Sequence, residues 1–401
     1  MSGVLRGLLR SPPYRRLLAN ASLTSVGTGG DFTLIGWLAL SVTGQPTWVG
    51  AAFALYYVPM ALLGLPAGSF ADGRDRRALL RGCDAAFALL LLGLAAVFHA
   101  TSPGIAHLLV LPFLLGTIRA IQNPLRLSYA YDIATSLHAV SALAGMSLAS
   151  RLGMIPGGIL AGTLAETVGM NAALLAMAVA QGLAALALGA GHASGTPVAQ
   201  AIDRASAWRR LADSLAEVRD NGALRRLVII TALVEILGSS YLTVLPSLAE
   251  ERVAVGAEAL GWMYSAQGVG GFLAGLVLFF RPPRGAAARG HALSILALAA
   301  ALVLLAVASH LPLILLAMAM ISVCVLCWDV FTQSMMQNAV PETRRGRAMG
   351  SWILAIGCAP LGHLEIGLLA STQSVGWALA INGLGIVLVL GLFLLTGRRR
   401  R

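Results

Sequence analysis

The chain has no lysine; all 28 of its basic residues are arginine. That absence removes the phosphate-binding Lys of a P-loop and any Schiff-base nucleophile, so neither bound ATP nor imine chemistry drives this chain. Charge of either sign is scarce, at 11% of residues, where soluble domains carry about 25%. A water-soluble protein of 401 residues cannot cover its surface with so few. Short alternating segments separated by turns, the mark of a transmembrane barrel, are missing too. Cys83, Cys324, Cys327 and Cys358 are the only cysteines. The Cys324-x-x-Cys327 spacing has no second pair and lies in an apolar run, so these read as small buried hydrophobes. His and carboxylates show no metal-ligand spacing such as H-E-x-x-H, and no nucleophile–base pair can be assembled. Enzyme chemistry and cofactors are therefore not expected.

What remains is apolar: 58% hydrophobic residues and a mean hydropathy of +0.81. A membrane span needs about 20 apolar residues. Candidates fall near 17–41, 48–70, 78–100, 105–128, 137–164 and 170–191, and then 226–248, 258–280, 291–309, 312–336, 347–370 and 374–396. That makes an all-α polytopic membrane protein of twelve helices. The long polar interruption, 192–225, separates a six-helix bundle over 1–191 from another over 226–401. Within it Trp208, Leu211, Leu215 and Val218 recur at helical spacing, which predicts an amphipathic helix at the membrane surface.

The net charge of +11 does not point to nucleic acid, because the arginines sit in short segments between apolar runs. They behave as topology signals. The arm before span one, the 72–81 loop, Arg126, the central segment, Arg281, Arg284, Arg289, Arg344, Arg345, Arg347 and the run Arg398–Arg401 share one side. On the other side only Arg252 appears, so both termini are expected in the cytoplasm of a bacterial inner membrane. The first 20 residues read as a cytoplasmic arm rather than a removable signal.

The densest charge island is Gly68-Ser-Phe-Ala-Asp72-Gly-Arg-Asp-Arg76-Arg77, between two apolar runs. By itself it is consistent with a plain topogenic turn. The halves also echo one another: Gly153-x-x-Pro156-x-Gly158 recurs as Gly357-x-x-Pro360-x-Gly362, in the fifth span of each, and Arg15-Arg16-Leu17 as Arg225-Arg226-Leu227. Doubled halves with a site between them near the midplane are a transporter arrangement. The pattern G-x-x-x-D-x-x-x-R-R resembles the loop between spans two and three of the major facilitator superfamily. Tyr14-Arg-Arg-Leu-Leu-Ala, Leu65-Pro66-Ala-Gly68 and Pro341-Glu-Thr-Arg-Arg-Gly346-Arg347 are similar to its bacterial enterobactin-exporter type and drug-efflux members.

The resemblance implies that fold. It also implies a gate at the cytoplasmic contact between the halves, made by Gly68, Asp72, Arg76 and Arg77 with Arg347 opposite. Gly153, Pro156, Gly157 and Gly158 resemble the family's antiporter motif, although Met154 occupies the usual Pro slot; with Gly357, Pro360 and Gly362 they serve equally well as close-packing positions. Ionisable residues within spans default to functional hypotheses. Asp31, at about 1.5 Å per residue, lies roughly 20 Å from the cytoplasmic end. Arg151 at similar depth and Arg119, about one to two turns nearer the cytoplasm, extend it to a three-residue cluster; Glu235, Asp329 and Glu365 are acids of the second half. Each is a candidate for proton coupling or substrate contact, and for either Arg a structural ion pair is the alternative. An acid whose proton affinity responds to an adjacent Arg and to water can load and unload during a cycle. Phe32, Trp37, Tyr56, Tyr57, Tyr241, Trp262 and Tyr264 fall in spans expected to border the cavity.

The expected function is secondary active transport: a monomeric, proton-coupled exporter, or antiporter, of a small lipophilic or amphipathic molecule such as a drug, siderophore or secondary metabolite. It would work by alternating access, with the proton gradient as energy source and lipids as surroundings. An importer in the same fold and a non-transporting sensor or scaffold are the alternatives.

Overall fold

The computed structural model describes residues 8–70, 75–101, 103–134, 139–189, 205–253, 256–280 and 287–398. Six long helices form the first half: α1 Pro12–Thr43, α2 Pro46–Phe70, α3 Arg76–Ala100, α4 Ile105–Ile133, α5 Ala139–Thr167 and α6 Met170–Ala187. The linker helix α7, Ala205–Asp220, follows. The second half holds α8 Gly222–Ser239 and α9 Leu245–Val253, joined by a 3₁₀ turn at Ser240–Val244, then α10 Gly256–Phe280, α11 Ala287–Val307 and α12 Leu311–Asn338. It ends with α13 Arg345–Ile356, α14 Ala359–Thr372 and α15 Val375–Arg398. No strand occurs among the described residues.

Eleven of these helical segments are long and apolar enough to cross a membrane. The twelfth span, α1, falls short in apolarity although it is 32 residues long, because Gly27, Gly29, Gly30, Asp31 and several Ser and Thr dilute it. Its polar residues are buried among the other helices, so the first span faces protein more than lipid. Two spans expected to be continuous are broken. The seventh leaves α-geometry after Ser239 and restarts before Pro246; the eleventh breaks at Gly357-Cys358, with Pro360 in the first turn of α14. Proline lacks the N–H that an unbroken helix needs, and its ring pre-sets the start of a new one.

The packing repeats between the halves. In the first, α1 packs on α5, α2 on α4 and α3 on α6; in the second, α8 packs on α13 and α14, α10 on α12 and α11 on α15. Glycine makes the tight contacts. A Cβ on Gly153 or Gly157 of α5 would strike the carbonyls of Ser22 and Val26 on α1, and one on Gly362 of α14 would strike that of Ile236 on α8. The echo noted in the sequence is therefore the same span-five-to-span-one contact built twice. Gly116 against Tyr56 and Gly270 against Ala319 repeat the span-four-to-span-two contact likewise. Without a solvent-driven force between helices in lipid, such close backbone approach supplies the van der Waals attraction. Pro156 sits on the exposed side of α5 and takes no part in it.

Between the halves, α5 packs along α10 and α2 along α14. Gly158 and Gly162 meet the backbone of Gly261 and Ala257. The Glu166 carboxylate accepts from the Ala257 N–H at 2.9 Å, and the Thr47 and Ser371 hydroxyls lie 2.6 Å apart. The Glu166–Ala257 and Thr47–Ser371 contacts lie at the end opposite the described termini, whereas α5 stays against α10 down to Leu148 beside Gly275. Near the terminal end, α4 and α12 keep to their own halves beyond isolated contacts among the described residues. There the linker helix α7 docks on α13 and α8 rather than lying free: Arg347 reaches Asp213 at 3.3 Å and Glu217 at 3.8 Å, and Arg344 reaches Glu217 at 3.4 Å. The side chains of Trp208 and Leu211 lie outside the described residues.

Replacing Gly153 by Val is expected to separate α1 from α5. Overpacking of this kind costs typically 1–3 kcal/mol, and more where backbone must move; a lowered melting midpoint of the detergent-solubilised protein checks it. At the far end, Thr47→Cys with Ser371→Cys, on a background with the four native cysteines replaced by alanine, should oxidise to a disulfide. Mass-tagging with a maleimide polymer then labels neither engineered thiol until a reductant is added; full labelling before reduction would refute the far-end contact.

Candidate functional site

Seven buried polar side chains of the first half, Asn20, Thr24, Asp31, Asp84, Arg119, Gln122 and Arg126, form one connected system. Asp31 on α1 is 1% exposed, and its Oδ2 accepts from Arg119 Nη2 at 2.7 Å and Nε at 3.3 Å. Arg119 lies on α4, its guanidinium 4.3 Å over the Phe87 ring. Its Nη1 donates to Gln122 Oε1 at 2.8 Å, and Gln122 Nε2 donates to Asp84 Oδ1 on α3. Asp84 also accepts from Asn20 Nδ2 at 2.6 Å and Thr24 Oγ1 at 3.3 Å. Asn20 Oδ1 in turn accepts from Arg126 Nε at 3.3 Å. From α6, Gln181 Nε2 donates to the Thr24 carbonyl at 3.4 Å. Small residues on α1 make room for this: a Cβ on Gly27 would collide with the Gln181 amide and crowd Arg119.

Three expectations change here. Arg126 is not a loop arginine; it is a buried helical residue inside the network. Asp84, Gln122 and Asn20 join the site without having been singled out. Arg151 does not join it. Its guanidinium instead crosses toward α10, where a Cβ on Gly271 would meet it, and it lies within electrostatic reach of Asp329 on α12.

Arg151 therefore belongs to a second group, between the halves. Asp329 interacts electrostatically with Glu235 on α8, whose carboxylate bonds Ser239 at the break in span seven. Around Glu235 gather Tyr57 of α2 and Tyr241 of the 3₁₀ turn, whose hydroxyl accepts from Gln267 Nε2 at 2.6 Å. Polar atoms here remain without a partner among the described residues: Arg151 Nε, Tyr264 Oη, Gln267 Oε1 and Trp328 Nε1. Buried polar atoms left open in this way mark a place built to meet something else, water or a solute.

Above this group an aromatic layer closes the interface. Phe32 and Tyr264 approach to 5.7 Å between ring centroids, across the halves. His363 of α14 stacks on Tyr57 at 5.0 Å and on Phe53 at 5.5 Å, and its Nδ1 shares a 2.8 Å hydrogen bond with Thr243 Oγ1. Sequence spacing singles out Glu365 rather than its neighbour His363, yet His363 is fully buried while Glu365 is half-buried and turned to Asn382 on α15, 3.3 Å away. Trp262, 41% exposed, faces outward, and Trp37 packs at the far end against Gly256.

Of the expected gate, Asp72 lies outside the described residues, and so do the surroundings of Gly68. Arg76 bonds Asp132 of α4 at 2.6 Å, and Arg77 caps the Leu188 carbonyl beyond α6, its Nε at 2.8 Å. Asp75 is the N-cap of α3, accepting from the N–H groups of Arg77 and Ala78 at 3.0 and 3.1 Å.

The comparisons agree with this architecture. The family model for the Major Facilitator Superfamily matches residues 17–360. A curated relative, the Staphyloferrin A transporter of Staphylococcus aureus (strain NCTC 8325 / PS 47), is 22% identical over 375 residues, covering 91% of each chain. Among solved structures, the nucleoside transporter NupG superposes with a TM-score of 0.75 at 16% identity, covering 95% of this chain and 98% of its own. A bacterial homologue of the human lysosomal transporter Spinster, inward-facing and unoccupied, gives 0.73 at 14% identity over 97% and 98% of the two chains. Taken with the eleven helical segments long and apolar enough to cross a membrane among the described residues, these matches place the protein: it is a multi-pass membrane transporter and belongs to the major facilitator superfamily.

Proposed function

We propose that this protein is a proton-coupled exporter of a small amphipathic molecule, working by alternating access in a bacterial inner membrane as a monomer with both termini cytoplasmic. The observation that carries the reading is the Asp31–Arg119 pair, buried in the first half with Asp31 Oδ1 left unpartnered. An acid held by one cation, with one oxygen free, has a place for a proton and a neighbour that responds to it. Asp329, within electrostatic reach of Arg151 across the interface, and Glu235 beyond it form the substrate region in this reading; with Arg151 they offer charges of both signs beneath an aromatic layer. The far-end contacts fit the state open toward the cytoplasm. Protonation of Asp31 or Glu235 biases the exchange between that state and its opposite, and Asp72, Arg76, Arg77 and Arg347 steady the cytoplasmic contact. The substrate class most in keeping with these groups is a small, multiply functional metabolite such as a siderophore, since the curated relative is a Staphyloferrin A transporter.

Everted membrane vesicles given an imposed proton gradient test this, with radiolabelled staphyloferrin A and a panel of lipophilic dyes as probes. Accumulation inside the everted vesicles, abolished by an uncoupler, is the outcome for an exporter; gradient-driven depletion indicates the importer. Asp31→Asn should reduce proton-driven flux by about tenfold or more, within the usual 5–150-fold span of a coupling free energy, while exchange of labelled for unlabelled substrate persists. Unchanged, uncoupler-sensitive flux in that variant removes Asp31 from the mechanism.

A further inference from the structure

The first-half network alternates charge and amide in a fixed order: Asp31, Arg119, Gln122, Asp84, Asn20, Arg126. Each amide has only one orientation that fits. Gln122 turns its oxygen to Arg119 and its nitrogen to Asp84, and Asn20 turns its nitrogen to Asp84 and its oxygen to Arg126. Asp84, fully buried, thus touches no cation directly, although two arginines stand one amide away. The Arg119 fork is already divided: Nε and Nη2 on Asp31 Oδ2, Nη1 on Gln122.

We propose that Asp84 is the alternate counter-ion of Arg119, taking over its charge through Gln122 when Asp31 takes up a proton. This rests on the proton-coupled reading above. The network carries two carboxylates and two guanidiniums, so it is neutral when both acids are ionised. A hydronium ion delivers its proton to Asp31 Oδ1, one of its O–H bonds breaking as the carboxyl O–H forms and water being left, and the pair loses its negative partner. An uncompensated guanidinium in an apolar interior costs several kcal/mol. With Asp84 still ionised behind Gln122, the guanidinium keeps a counter-charge without leaving the bundle, and the charged part of the α1–α4 contact is lost while Arg126–Asn20 and Arg119–Thr24 remain. Asp84 is a positioning residue here, since it acts on Asp31 through Arg119. The charged and titratable groups around the system are Asp31 and Tyr56 beside Arg119, Arg126 of α4 beside Asp84, and Cys83 on α3 next to Asp84; α6 presents only the uncharged Gln181.

The test reads Asp31 directly in the full-length protein, purified into lipid nanodiscs without substrate. The protonated-carboxyl band that Asp31→Asn removes from infrared difference spectra is followed against pH in wild type, Asp84→Asn, Asp84→Glu and Gln122→Leu. The expected result is a shift of that band's titration midpoint by about one pH unit or more in Asp84→Asn, the size at which two sites titrate as a pair, a similar shift in Gln122→Leu, and recovery in Asp84→Glu. An unmoved midpoint in Asp84→Asn overturns the proposal and leaves Asp84 a structural acid. A shift in Asp84→Asn but not in Gln122→Leu overturns the route through the amide. If Asp84→Asn does not fold, the Gln122→Leu result alone decides. Because the assay needs no substrate, proton-driven flux with an unmoved midpoint defeats only this inference, while a shifted midpoint without proton-driven flux defeats the transport reading instead.

Discussion

A guanidinium at the depth of Arg119 has no water to solvate it, and the rest of the first half is organised around that constraint. The charge is tolerable because Asp31 lies 2.7 Å away and because every remaining N–H direction meets an acceptor or an aromatic face. Removing one member of such a pair strands the other at a cost of about 3–5 kcal/mol. The polar face of α1, the glycines that let α5 close over it and the amides contributed by α4 and α6 are all consequences. They seal the pair from lipid and leave one carboxylate oxygen open.

Open hydrogen-bonding capacity occurs in both regions: Asp31 Oδ1, Arg126 Nη2 and Gln181 Oε1 in the first-half network, and Arg151 Nε, Tyr264 Oη, Gln267 Oε1 and Trp328 Nε1 between the halves. In a low dielectric each open group matters more than it would in water, so both regions keep the capacity to take up a proton, a water or a solute.

The helices and the two-fold repeat were legible in the sequence because apolar run length and the spacing of glycines have a direct physical meaning in a membrane, and the family through the resemblance of the charge island over 68–77 to its loop pattern. Asp31, Arg119 and Arg151 stood out for the same reason, as charges in apolar runs. Asp84 did not, because it lies only three residues beyond Arg81 and reads as the tail of the charged loop. Arg126 was hidden the same way, by its resemblance to a topology signal. Gln122 and Asn20 carry no charge, so no rule about buried ions finds them. Arg151 was placed by depth alone, and depth does not say which way round the helix a side chain points. The breaks in spans seven and eleven escaped because hydropathy averages over them. Both fall in the second half, so the repeat that matches in packing is unequal in stiffness.

The docking of α7 has a consequence of its own. Arg344 and Arg347 are each about half exposed, at 55% and 45%, but Glu217, which both reach, is only 6% exposed, while Asp213 is 51% exposed. Ion pairs that wet are worth about 1 kcal/mol or less, and their attraction fades over a Debye length of roughly 8 Å in physiological salt. The Arg347–Asp213 edge is of that kind, whereas Glu217 and the Ser351 hydroxyl on the buried Ser214 carbonyl, at 3.3 Å, hold the linker helix from beneath. The surrounding electrolyte can therefore trim the rim of this attachment without undoing its root.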